Sequence, residues 1–163
     1  MAVLLFLFFL PSGLYFSPMS AHKSSERYYH YGPSEVVHIE DFANSKYLLC
    51  KYDNMISCNT VKSSFLLFWK SGNYPIGFEN DKTKPLAYSW GSSDPYWEVY
   101  GIVNDDRIKR VEIILDDGRI LTQSEFYDDL FLFTWESFDN HSLGSKNLKG
   151  YDSDNNVIYE VAF

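Results

Sequence analysis

Cysteine and histidine are scarce. The 163-residue chain has two of the first, Cys50 and Cys58, and four of the second. A metal site needs more Cys or well-placed His ligands than any stretch of this chain offers, so neither metal nor cofactor is expected. Nucleophile elbows of the Gly-x-Ser-x-Gly type, phosphate-cradling glycine loops and His-Glu-x-x-His helices are all missing. Basic residues are outnumbered, 14 against 22 acidic, for a formal charge of -8 and a pI near 4.9. Such a surface repels phosphate backbones, which excludes nucleic acid as the expected partner. Arg107, Lys109 and Arg110 form the only tight basic group, and they read as the solvated side of a strand. Long runs of good helix formers at a 3.6-residue period are missing too. No apolar run reaches the roughly 20 residues of a membrane-spanning helix.

Apolar and aromatic residues, by contrast, are abundant: 45% hydrophobic and 18% aromatic, with thirteen Tyr and thirteen Phe. That is too apolar for a disordered chain and enough for one domain with its own core. Rings pack well on a pleated surface, so the aromatic excess favours strands.

Ala2 to Leu10 is wholly apolar and is followed by Pro11-Ser12-Gly13 and small residues at Ser20 and Ala21. This pattern predicts a signal peptide or membrane anchor over residues 1–21, although no basic residue precedes the run. No Cys follows it, so a lipid-modified terminus is not available. Residues 22–34, HKSSERYYHYGPS, are polar, lack a period and carry Gly32-Pro33, which predicts a linker. Residues 35–163 are then a single domain.

Within that domain, short apolar runs alternate with turn residues. Val111, Ile113 and Leu115 face one way, with Arg110 and Glu112 facing the other, and Asp117-Gly118 turns the chain back. Phe131 to Trp135 is apolar on both faces, as a central strand is, and Ser124 to Leu130 fits a short helix. The fold class is mainly β, an antiparallel β-sandwich or barrel of about nine or ten short strands. If Asp53-Asn54-Met55 is a three-residue hairpin loop, Cys50 faces Cys58 directly, at a separation suited to a disulfide. Closing so short a ring would stabilise by about 2.5 kcal/mol on the chain-entropy model. The alternative is a pair of buried thiols.

Three acidic pairs, Asp105-Asp106, Asp116-Asp117 and Asp128-Asp129, are the only material for hydrolytic chemistry, which needs two carboxylates converging across a cleft. Adjacent Asp residues in turns are more usually solvated turn formers. Asp152-x-Asp154-x-Asn156 spaces oxygen ligands as a Ca²⁺ loop does, yet Val157 stands where such loops need Gly, and a plain hairpin turn is expected. Asn140-His141-Ser142 fits the N-glycosylation pattern. His38 sits in an apolar strand pattern and His141 is isolated, so neither suggests a ligand. The Gly- and Pro-rich loop from Ser71 to Tyr96, within which only Leu86 to Trp90 could pair, and the start of the next strand, Trp97 to Val103, carry Tyr74, Phe78, Tyr88, Trp90, Tyr96 and Trp97. These are the candidate binding residues, since aromatic loops over a β domain commonly hold sugars or partner proteins. No catalytic residue is nominated.

Tyr47-Leu48-Leu49, Phe68-Trp69, Tyr100-Gly101-Ile102-Val103, Ile108-Lys109-Arg110-Val111, Asp117-Gly118, Gly150-Tyr151-Asp152 and Asn156-Val157-Ile158 form a pattern from Lys46 onward. It resembles small uncharacterised exported β-domain proteins of the Gram-positive bacterial envelope. The resemblance implies a secreted or cell-envelope β domain and brings no catalytic residues. The expected function is therefore non-catalytic binding of an extracellular ligand or protein, touching the membrane only through the N-terminal segment. The alternatives are a glycan hydrolase using an acidic pair, or an inhibitor of a secreted enzyme.

Overall fold

The computed structural model describes residues 13–64, 67–72, 76–137 and 145–163. Among them one helix, α1 (Pro18–Tyr29), precedes twelve strands. These are β1 (Glu35–Phe42), β2 (Ser45–Tyr52), β3 (Met55–Ser64), β4 (Phe68–Ser71), β5 (Phe78–Glu79), β6 (Leu86–Ser93), β7 (Tyr96–Val103), β8 (Arg110–Leu115), β9 (Ile120–Gln123), β10 (Leu130–Glu136), β11 (Ser145–Tyr151) and β12 (Val157–Ala162). Every pairing is antiparallel, in three sheets: β1-β2-β3-β4 with β5 also on β3, then β10-β7-β6, then β12-β11-β8-β9. Each sheet has free ends, so the barrel alternative falls.

Turn chemistry sets the registers. Asp53 (φ 52°) adopts the left-handed conformation a two-residue hairpin demands, and Tyr52 pairs with Met55 across it. Asp128 and Asp129 are both left-handed (φ 48° and 65°) and close a tight turn in which Tyr127 and Leu130 exchange backbone hydrogen bonds. The short helix expected at Ser124 to Leu130 is this turn, because Asp tolerates positive φ where a helix would forbid it. Asp152 Oδ1 accepts the backbone N–H of Asp154 (2.9 Å) and Asn156 (2.8 Å), so its carboxylate shapes its own hairpin.

The side-chain alternation of each strand distributes residues over three apolar layers. Tyr47, Leu49, Ile56 and Cys58 of the first sheet meet Tyr100 and Leu130 of the second. The other face of the second sheet, with Val99, Phe131, Phe133 and Trp135, meets Val111, Ile113, Leu115 and Leu148 of the third. The outer face of the first sheet, through Leu48, Cys50 and Val61, takes α1 at Ala21. Covered on both sides, β2 and β3 are buried almost throughout. The alternation foreseen for Val111, Ile113 and Leu115 is present: all three are buried while Arg110, Glu112 and Ile114 are half-exposed. β10 is an edge in hydrogen-bonding order, and its two apolar faces reflect a layer above and a layer below.

Two expectations are overturned. The β2–β3 loop is one residue shorter than the sequence suggested, so Cys50 pairs with Ser57 and Leu49 with Cys58. A one-residue shift flips every side chain, which sends the two thiols to opposite faces of the sheet. Both are buried and free, and no disulfide forms. The stretch read as a linker over residues 22–34 begins inside α1. Ser17 caps that helix, accepting from the Ser20 N–H (3.1 Å), and Pro18 follows at its first position. The helix escapes an apolar-period search because three of its four buried residues, His22, Ser25 and Glu26, are polar. The boundary expected after Ala21 thus falls within a helix whose Ala21 is fully buried. Residues 2–10, Tyr74, His141 and the Asn140-His141-Ser142 triplet lie outside the described residues.

Candidate functional site

Of the aromatic residues nominated from sequence, the five that are described, Phe78, Tyr88, Trp90, Tyr96 and Trp97, stand on strands rather than on a loop. Cross-strand register puts Tyr88 opposite Gly101, Trp90 opposite Val99 and Ser92 opposite Trp97, so Tyr88, Trp90 and Trp97 share one face. Trp90 is 53% exposed, and its ring lies 5.9 Å from that of Trp97 at 38°. Tyr88 meets Phe163 edge-on at 5.5 Å. Burial raises the Tyr88 and Tyr159 phenols above their ordinary value, so both donate rather than ionise. Phe78 and Tyr96 lie elsewhere: Phe78 packs on Tyr100 (5.9 Å) in the layer between the first two sheets, and Tyr96 meets Phe42 (5.6 Å). Three of the nominated rings therefore share the face of the second sheet that meets the third, where Tyr88 and Trp97 pack in part against the core and Trp90 projects into solvent. Phe163 and Tyr159 join them through a pairing at the chain's end that only the folded register reveals.

Gly91 faces Glu98, whose carboxylate lies over it: a Cβ at Gly91 would sit 2.3 Å from Glu98 Oε1. A side chain beside Trp90 would thus have to displace a buried acid, which in turn helps burial raise the Tyr47 phenol.

A second assembly, not foreseen from sequence, lies under α1. His22 (2% exposed) and Glu26 (4%) stand one turn apart over the first sheet. The Asn59 amide donates to His22 Nδ1 (2.7 Å), which places the ring proton on Nε2, 3.5 Å from Glu26 Oε1 and from Ser34 Oγ. Ser34 donates both its N–H (3.0 Å) and its hydroxyl to Glu26 Oε1. Desolvation lowers the His22 pKa, opposed by Glu26 and reinforced by Lys23. Desolvation likewise raises the Cys50 thiol to about 12, with Ser34 and Ser57 opposing and Glu26 adding to it. A thiol so protonated is a poor nucleophile. Beside the network, α1 and the return at 30–34 border a cleft of about 660 Å³.

One member of each acidic pair is held by a cation. Asp105 binds the Arg107 guanidinium (2.7 Å), which together with the Arg107 N–H holds its pKa down at about 2. Asp117 is similarly lowered by the Arg119 N–H and guanidinium, and Asp128 pairs with Lys51 (2.5 Å). Among the described residues no group of three or more His, Cys, Asp or Glu is placed to hold a metal ion. No described helix is long and apolar enough to cross a membrane. No protein-family model, curated protein or solved structure matches the chain.

Proposed function

We propose that this chain is an exported or cell-envelope β domain that binds a ligand without transforming it. The ligand is an uncharged saccharide seated on Tyr88, Trp90 and Trp97. The observation that carries this reading is Trp90, exposed over half its surface beside a second indole. Indole faces attract the C–H faces of sugar rings, and keeping such apolar area in water is otherwise unfavourable. Ser92, across from Trp97, supplies a hydroxyl at the same face. The stacked open sheets are best described as a sandwich that holds these rings on paired strands. A hydrolase reading gains nothing from acidic pairs that stand on separate turns, with Asp105, Asp117 and Asp128 each held by a cation.

Fluorescence titration with cello- and chito-oligosaccharides is the direct test. Binding should quench the indoles, and Trp90→Ala should weaken it about 30-fold or more, as for a central binding residue. Tyr96→Phe, on the opposite face of β7, should leave it unchanged. No saccharide-dependent signal, or equal affinity in Trp90→Ala, would overturn the assignment.

The export reading rests on the apolar N-terminal run and on the resemblance from Lys46 onward. The packing of α1 argues that residues 13–21 are retained, because Tyr15 exchanges backbone hydrogen bonds with Trp69 (2.8 and 2.7 Å). Intact mass after fractionation of the native host should show an envelope protein still carrying Tyr15. A full-length chain in the cytosol would sink the compartment.

A further inference from the structure

We propose that the cleft beside α1 is a second binding site, one that takes a phosphomonoester dianion carried on a small apolar or aromatic body. Its rim is cationic. Lys23 and Arg27 lie at successive turns along one flank of the helix, are exposed, and border the cleft, with the His30 imidazole one turn beyond them. None of their side chains has a hydrogen bond or ion pair to an acid among the described residues, whereas Arg107, Arg110 and Arg119 each hold a nearby carboxylate. In a chain of net charge -8 this flank is a local reversal of sign. Arg27 offers a planar fork and Lys23 a point charge, the pairing that suits a phosphate with several oxygens.

The cleft is also built rather than incidental. Its volume of about 660 Å³ suits a small molecule. Met19, Tyr31 and Pro33 supply an apolar wall beside the cations. Glu26 clamps the return at Ser34 to the helix through two hydrogen bonds to one oxygen. A side chain at Gly32 would sit 2.8 Å from that oxygen, so the residue must be glycine for the return to close, and its φ of +99° demands the same. Glu26 also borders the cleft, but its side chain is 6% exposed, and two Ser34 donors and His22 engage its Oε1. An apolar helix–sheet interface would be more stable than this buried ionisable network. Asn59 Oδ1 even has no hydrogen-bond partner among the described residues. Polar groups retained at such a cost beside an open cleft are characteristic of a site.

The test is amide NMR of the full chain titrated with phenyl phosphate, inorganic phosphate and benzyl alcohol. Phenyl phosphate should produce saturable shifts confined to residues 19–34, tighter than inorganic phosphate, and benzyl alcohol none. Lys23→Gln with Arg27→Gln should weaken phenyl phosphate binding about tenfold or more, the loss of at least one charged contact. Lys109→Gln with Arg110→Gln should not. Both pairs lie on exposed or half-exposed positions, so folding is preserved, and Trp90→Ala should bind phenyl phosphate normally, which keeps this site separable from the saccharide surface. Competition by phosphatidic acid vesicles, but not phosphatidylcholine vesicles, assigns the dianion to a lipid headgroup; its absence assigns a soluble phosphoester. Equal binding by the α1 variant, shifts centred on residues 107–110, or no shift with either phosphate overturns the proposal.

Discussion

His22 shows how one side chain sets the pH behaviour of a fold. In the unfolded chain its imidazole takes a proton as the pH falls through about 6.5. In the folded chain desolvation, reinforced by Lys23 and only partly offset by Glu26, depresses that pKa. Below the unfolded value the unfolded state therefore binds the extra proton, and folding stability declines until the folded pKa is also passed. The urea midpoint should fall between about pH 7 and pH 5, and His22→Gln should flatten that part of the profile. An identical slope in the variant would move the acid sensitivity elsewhere. None of this was legible in the sequence, because a histidine in a polar stretch looks solvated until its helix is docked. The cysteines failed for a different reason. Their side-chain parity depends on whether Met55 belongs to the loop or to β3, and only the left-handed Asp53 of a two-residue turn decides that.

At the scale of the element, strands and turns were legible where two local signals agreed. The β8–β9 hairpin had clean alternation and an Asp-Gly turn, and it stands as read, with Gly118 at φ 90°. The β6–β7 hairpin is legible only in its outer parts, Leu86 to Trp90 and Trp97 to Val103, because the glycine- and serine-rich residues on the way to its turn, Asp94-Pro95, look like loop. Helix α1 has no apolar stripe to reveal it, since three of its four buried residues are polar. Its legible signal was the pair Ser17-Pro18, a cap followed by the residue favoured at the first helical position. That cap should matter more than usual here, because α1 docks through polar contacts with only Ala21 and Met19 packed against the apolar cluster. Ser17→Ala should lower unfolding free energy by about 1 kcal/mol. It should also weaken phenyl phosphate binding, because the same helix carries the cationic rim. A loss of stability with no change in binding would detach the cleft from the helix's order.

Across the whole molecule, the stacking of α1 on the first sheet, and of that sheet on the second, separates regions that can open independently. Cys50 lies in the layer under α1 and Cys58 in the layer between the first and second sheets. Burial raises both thiols, Cys50 to about 12 and Cys58 well above its ordinary value, so neither reacts while its layer is closed. The outer layer contains Ala21, Leu48, Cys50 and Val61 around a polar network, whereas the inner one is lined by Tyr47, Leu49, Ile56, Tyr100 and Leu130. Less apolar area holds the outer layer, so it should open at lower free energy than the chain as a whole. Alkylation with iodoacetamide under native conditions, read by peptide mass, should label Cys50 well before Cys58, and Ser17→Ala should accelerate Cys50 alone. Equal labelling rates at the two thiols would mean that α1 and the sheets open as one unit, and the docked helix would then be part of the global core rather than a separable cover.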